Sequence, residues 1–240
     1  MGFTMVSKNL LIHLFIAFTA FMPTLVLAQT TTPFFLFRPQ ERLELHVQIQ
    51  TLEGQNLNER QLRISFNDHD GNQKLLAEIL QPASLRSMKF LRIQEGNQTQ
   101  MWVKTSRGTR RIAPGSRPEP IFNSVFTTGD FDLDNTGWSL VQESRQTQTR
   151  TRLQASTGFT QELVTRSLDG LVLTLTNKDS EGQSVREYRV TEWDNGGEEK
   201  GYPNKVEVKD VKSGRTSMLS INSFREPASW PRNAFSSGAL

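Results

Sequence analysis

Apolar side chains fall on every second residue over much of this chain, and a period of two restricts it to half-buried β-strands. Leu43, Leu45, Val47 and Ile49 alternate with Glu44, His46, Gln48 and Gln50, giving one apolar and one polar face. Leu62, Ile64 and Phe66 repeat the pattern, and Asn67-Asp68-His69-Asp70-Gly71 supplies the turn that ends it. Leu91 and Ile93 lead to a turn at Glu95-Gly96-Asn97, and Met101 and Val103 form the return. Leu171, Leu173 and Leu175, then Val185 to Val190, Val206 to Val211, and Met218, Leu219 and Ile221 continue it. Asp169-Gly170, Asn195-Gly196-Gly197 and Ser213-Gly214 punctuate these runs as turns punctuate a meander. Leu75, Leu76, Ile79 and Leu80 sit at helical spacing, but the run between Asn72 and Pro82 is short and flanked by strands, so a strand is expected.

The stretch from Arg107 to Thr136 breaks the pattern. Pro114, Pro118, Pro120, Gly115 and Gly129 exclude a long regular element, yet Ile121, Phe122, Val125, Phe126, Phe131 and Leu133 are apolar. A long apolar loop tends to be functional or to plug something. Residues 29–40 and 227–240 read as irregular ends.

The first 28 residues have their own logic. Lys8 precedes an apolar run from Asn9 to Leu27, and Val26-Leu27-Ala28 is a small-residue exit before Gln29. This is the order of a cleavable signal peptide. The run is also about long enough for a membrane anchor; Pro23 and Ala28 favour cleavage. A single domain from 29 to 240 is then expected in the periplasm. The chain contains no cysteine, so an exported domain of this size relies on its core rather than on disulfides. The net charge is +3, and loss of Lys8 would lower it to +2, too balanced to imply a nucleic-acid partner.

Catalytic and metal chemistry find little support. Beyond residue 28 the only histidines are His46 and His69, and neither has a partner at metal spacing. No Gly-x-Ser-x-Gly elbow and no phosphate loop is present; Gly196-Gly197 runs into Glu198-Glu199, which would repel phosphate. Asp130, Asp132 and Asp134 alternate, but without the glycine and closing glutamate of a calcium loop. Neither an enzyme nor a metal or cofactor is therefore expected. Glu143 to Gln154 is polar on both faces. It reads as an edge strand whose charge prevents aggregation, or as a cationic ridge of Arg145, Arg150 and Arg152 that meets an acidic partner.

The most distinctive local feature is an aromatic strand, Met101-Trp102-Val103, that enters a turn at Gly108 and leaves through Arg110-Arg111-Ile112. Ser124, Phe126 and Asp130 follow in order. With Pro82 and Leu91, this set resembles the outer-membrane lipoprotein-sorting proteins, relatives of the periplasmic Lol-type lipoprotein carriers. The resemblance spans roughly Leu43 to Phe224, and its specific part is Leu76 to Phe131. That family commonly has Gly and an acidic residue where this chain has Asn123 and Gly129. The resemblance implies an incomplete, strongly curved antiparallel β-barrel with a short helical or looped lid, enclosing an apolar cavity for acyl chains. Leu45, Val47, Ile64, Phe66, Leu91, Ile93, Met101, Trp102 and Val103 are then candidates to line the cavity, and Phe122, Phe126 and Phe131 to close it. Each could equally be ordinary core. Arg110, Arg111, Ser124 and Asp130 are candidate polar contacts of the mouth or lid. Either arginine would hold a carbonyl or phosphate, or would pair with Glu119 or Asp130 and pin the segment shut. The expected partners are acyl lipid, as phospholipid or lipoprotein chains, together with inner- and outer-membrane transport proteins, for a carrier acting as a monomer. The other reading is a cell-envelope interaction module that pairs through exposed β edges and carries no lipid.

Overall fold

The computed structural model describes residues 42–69, 71–96, 98–113, 119–122, 124–127, 130, 138–154, 159–168, 171–193 and 203–240. The signal-peptide expectation and Phe131 lie outside these residues. The strands are β1 (Arg42–Glu53), β2 (Asn56–His69), β3 (Asn72–Gln81), β4 (Lys89–Glu95), β5 (Gln98–Thr105), β6 (Gly108–Ile112) and β7 (Ser139–Glu143), followed by β8 (Thr147–Gln154), β9 (Phe159–Arg166), β10 (Val172–Lys178), β11 (Ser184–Trp193), β12 (Pro203–Asp210) and β13 (Thr216–Arg225). They form one antiparallel sheet in the order β6-β5-β4-β3-β2-β1-β13-β12-β11-β10-β9-β8-β7. The segment with helical spacing is strand β3.

This order explains the apolar loop. The chain starts at mid-sheet, winds out to the edge at β6, and resumes at the opposite edge as β7. One connection must therefore cross the whole sheet, and a covalent crossover over an apolar face has to be apolar itself. β-bulges at His46/Val47, Gln61/Leu62, Val172/Thr174 and Val190/Glu192 interrupt the ladders. Bulges bend strands and sharpen their twist. The sheet is strongly curved but not closed into a barrel.

The concave face carries the core. Leu43, Leu45, Val47 and Ile49 pair across to Phe66, Ile64, Leu62 and Arg60 of β2, and Val47 and Ile49 face Ile221 and Leu219 of β13. The girdle continues through Leu75, Ala77, Ile79 and Phe90 on one side, and through Val206, Val208, Tyr188, Leu175 and Leu163 on the other. Burying one such aliphatic side chain contributes about 1.5–3 kcal/mol, so the girdle is the main source of stability.

The convex face carries a buried apolar patch, and there the sequence reading needs correction. Leu91, Ile93 and Trp102, expected to line the interior, lie on the convex side with Leu76, beneath Phe235 and Leu240 of the C-terminal tail. On β4 it is Phe90 and Arg92 that turn inward, Phe90 pairing with Ala77 and Val103 and Arg92 with Leu75 and Met101. The cause is burial on both faces: Lys89-Phe90-Leu91-Arg92-Ile93 is apolar at both parities, and alternation cannot choose between them. The tail is tied down by the Trp230 indole, whose Nε1 donates to the Phe66 carbonyl at 3.2 Å. Arg42 donates to the Ala228 carbonyl, and Lys104 to that of Leu240.

Candidate functional site

The described part of the crossover lies on the concave face and fills it. Ile121, Phe122, Val125 and Phe126 are each 3–4% exposed and join the main core. Local bonds shape the loop that presents them. Ile121 N donates to the Phe126 carbonyl at 2.8 Å, and Pro120 and Thr127 form an isolated bridge. The Ser124 hydroxyl donates to the Ile121 carbonyl at 2.9 Å and accepts from Phe126 N at 3.1 Å. Phe122 takes φ 56°, a left-handed conformation that costs a non-glycine residue on the order of 1 kcal/mol. Burial of its ring outweighs that cost.

Polar contacts to the sheet are few and specific. Val125 N lies 3.4 Å from the Ser217 hydroxyl at the middle of the sheet. Asp130 accepts from Thr127 N at 2.6 Å and from the Tyr188 hydroxyl, while Arg186 Nη1 approaches it at 3.4 Å and Thr127 Oγ1 at 2.9 Å. Burial pushes the Tyr188 phenol well above its ordinary pKa, and the Asp130 carboxylate pushes it further. Burial opposes the charge on Arg186, but Tyr188, Asp130 and Asp210 outweigh it, so the guanidinium stays charged above the usual arginine range. Ser124 and Asp130 thus act inside the crossover rather than at a mouth. The arginine of Asp130 is Arg186, which sequence reasoning missed; its only signal was the inward parity of Arg186, Tyr188 and Val190.

The concave face is divided. Towards β8 the inward positions become polar: Arg152, Gln161 and Asn177 stand opposite one another across β8, β9 and β10. Arg152 Nε donates to Gln161 Oε1 at 2.6 Å, and Gln161 Nε2 to Asn177 Oδ1 at 3.0 Å. The Arg152 guanidinium lies 4.7 Å from the centre of the Trp138 ring. Two expectations change here. β8 is one strand in from the edge, which is β7, and Arg152 is a buried group of the interior rather than part of an exposed ridge. A polar strand looks alike whether its inward groups meet water or one another.

The paired arginines separate. Arg110 stands opposite Val103 on the inward side and pairs with Glu119 at the root of the crossover. Arg111 stands opposite Trp102 on the convex side, with its guanidinium 5.9 Å from the ring centre. Gly108 makes the preceding hairpin turn with φ 124°, a conformation open to glycine. Beside this hairpin lies an open cleft of about 540 Å³, whose lining includes Leu85, Met88, Arg107 and Arg110. Leu85 and Met88 also pack against the main core. Of the expected lining, Leu45, Val47, Ile64, Phe66, Met101 and Val103 are brought together, with Phe122 and Phe126 against the same core.

Comparison with solved structures identifies the fold. A domain described as that of an outer membrane lipoprotein-sorting protein, from Vibrio parahaemolyticus, superposes with a TM-score of 0.76 at 13% identity, covering 85% of this chain and 93% of that one. A DUF1329 family protein from Desulfovibrio piger gives 0.74 at 14%, covering 83% and 91%. A LolA superfamily protein from Nitrosomonas europaea gives 0.63 at 17%, covering 87% and 99%. The fold is LolA-like, as the motif set from Pro82 to Asp130 implies. A family model described as that of an uncharacterized protein matches residues 71–240, and the chain belongs to that family. No curated protein matches it.

Proposed function

We propose that this protein is a periplasmic carrier, not an enzyme, that shelters the acyl chains of a lipid or lipoprotein on its concave face during transfer toward the outer membrane. The observation that carries this reading is the division of labour inside the sheet. A girdle of aliphatic side chains is covered by a separate loop, and that loop is held by the Asp130, Ser217 and Glu119 contacts rather than by strand pairing. Each methylene kept from water is worth about 0.8 kcal/mol, so a chain of a dozen carbons costs on the order of 10 kcal/mol to carry uncovered. When the loop swings away, Leu45, Val47, Ile64 and Phe66 replace that cover for an acyl chain. The polar row of Arg152, Gln161 and Asn177 would face the head of the cargo, and the cleft beside Arg107 and Arg110 would be its entrance. The pattern of residues 1–28 and the description of the Vibrio relative support the compartment.

Extraction of the protein purified from the cell envelope, followed by mass spectrometry, tests the reading. Co-purifying phospholipid or acylated peptide supports it. A protein that is empty on isolation, and whose melting temperature ignores added lipid, overturns it. That result would favour an interaction module pairing through β7, the edge strand of the described sheet, whose Leu140 and Val141 are 53% and 63% exposed.

A further inference from the structure

At one end of the sheet the inward positions turn from apolar to polar. Thr51, Asn58 and Ser217 stand opposite one another there across β1, β2 and β13, with the Thr51 and Ser217 hydroxyls 2.6 Å apart. Arg186 and Arg215 belong to the same end, and each meets carboxylates: Arg186 meets Asp130 and Asp210, and Arg215 meets Glu53 at 3.8 Å. Arg60 is set one row deeper, opposite Ile49 and on the same face as Leu62, and is 9% exposed. Its Nη1 donates to the Glu59 carbonyl at 3.0 Å, while its Nε is buried and has no hydrogen-bond partner among the described residues. No carboxylate of the described residues forms an ion pair with it. The Glu59 side chain turns to the opposite face, where it accepts from Gln50 at 3.2 Å. An unpaired charge inside a protein is strongly destabilising, and a buried donor without an acceptor adds to the cost. An aliphatic side chain would complete the girdle without either cost, so the fold itself gives no reason for a guanidinium here. Strand β3 ends at Gln81, opposite Gln61, and the chain turns there into Ser84, Leu85 and Met88 of the cleft described above. Arg60 thus stands at the end of the sheet where that cleft lies.

We propose that Arg60 anchors the polar end of the cargo, and that the cargo is an acyl lipid with an anionic head, either the phosphate of a phospholipid or the carboxylate of a fatty acid. This rests on the carrier reading above. The chains would lie along Leu45, Val47, Ile64 and Phe66, and the head would meet the guanidinium where the girdle ends. A planar guanidinium can donate to two oxygens of either group at once.

Calorimetric titration of the purified protein with three soluble short-chain lipids, each below its micelle-forming concentration, tests this: dioctanoyl phosphatidylglycerol, dioctanoylglycerol and decanoate. The first two share their chains and differ in the phosphate head. The phosphatidylglycerol should bind about tenfold tighter than dioctanoylglycerol, as a hydrogen bond to a charged group predicts. Arg60→Met should abolish that preference and leave the affinity for dioctanoylglycerol unchanged, and Arg60→Lys should restore part of it. Decanoate binding that is lost in Arg60→Met places carboxylates among the ligands, and indifference narrows the head to phosphate. If the two dioctanoyl lipids bind equally, or the preference survives in Arg60→Met, the inference falls while the carrier reading stands. If neither binds, both fall. Arg60→Met removes a buried charge, so its urea midpoint should lie at or above that of the parent protein, which separates lost binding from lost fold.

Discussion

Thr127 N, Thr127 Oγ1, Tyr188 OH and Arg186 Nη1 all approach the carboxylate of Asp130, which is buried. Removing it leaves a guanidinium and a phenol without that partner inside the sheet. Asp130→Ala should therefore cost about 3–5 kcal/mol in urea unfolding, the usual result of breaking a buried charged pair from one side. Tyr188→Phe removes the hydrogen bond to Asp130 and a longer one, 3.5 Å, from Arg186 Nη1, but no charge, and should cost about 1–2 kcal/mol. If the two cost the same, the carboxylate is not what holds the crossover. Glu78 offers a separate test on the convex face. Arg63 contacts it at 2.6 Å and Lys89 at 3.0 Å. Burial raises its pKa, but the hydrogen bonds and charges of Arg63 and Lys89 prevail and hold it below the ordinary carboxylate value. A depressed folded pKa adds stability that is present above the ordinary value and is lost as pH falls through the folded one. Glu78→Gln should thus cost about 1 kcal/mol at pH 7, since Arg63 is partly exposed and screened. The difference from the parent protein should vanish when urea unfolding is repeated on the acid side of the folded pKa. At this scale the sequence was only half legible: Arg110 with Glu119 was one of its stated pairings, whereas Arg186 with Asp130 joins residues 56 apart in the chain.

Strands with one wet face could be read from their sequence, and strands with two dry faces or two polar faces could not. β1 and β2 alternate cleanly because their polar faces meet water or ion pairs. β4 is buried on both sides, so Phe90 and Leu91 are equally apolar yet point in opposite directions. β8 is polar on both sides, and nothing in Thr147 to Gln154 tells that Arg152 is inward until Gln161 stands opposite it. The crossover was legible as an apolar, proline-broken loop because proline and glycine forbid any ladder there. The carrier reading requires that it leave the sheet. The chain has no cysteine, so Val125→Cys with Ser217→Cys introduces one pair, at a place where Val125 N and Ser217 Oγ are 3.4 Å apart. Oxidation of that pair, verified by mass, should lower lipid uptake at least tenfold, and reductant should restore it. Equal uptake in both states would mean that the loop does not need to leave the sheet.

The sheet as a whole is wrapped twice, by the crossover on its concave side and by the C-terminal tail on its convex side. The two covers lie on opposite faces of the sheet and belong to separate apolar clusters, so they should be separable. Deleting residues 227–240 uncovers Leu76, Leu91, Ile93 and Trp102 and removes Phe235 and Leu240. Losing two buried apolar side chains should cost on the order of 3 kcal/mol in urea unfolding. It should also increase binding of a hydrophobic dye and shift Trp102 emission to the red. The girdle from Phe90 through Leu45 to Leu163 does not include the tail, so lipid uptake per folded molecule should be unchanged. A truncated protein that loses lipid uptake while still folded would show that the tail belongs to the carrier machinery, and that the two faces of the sheet act as one.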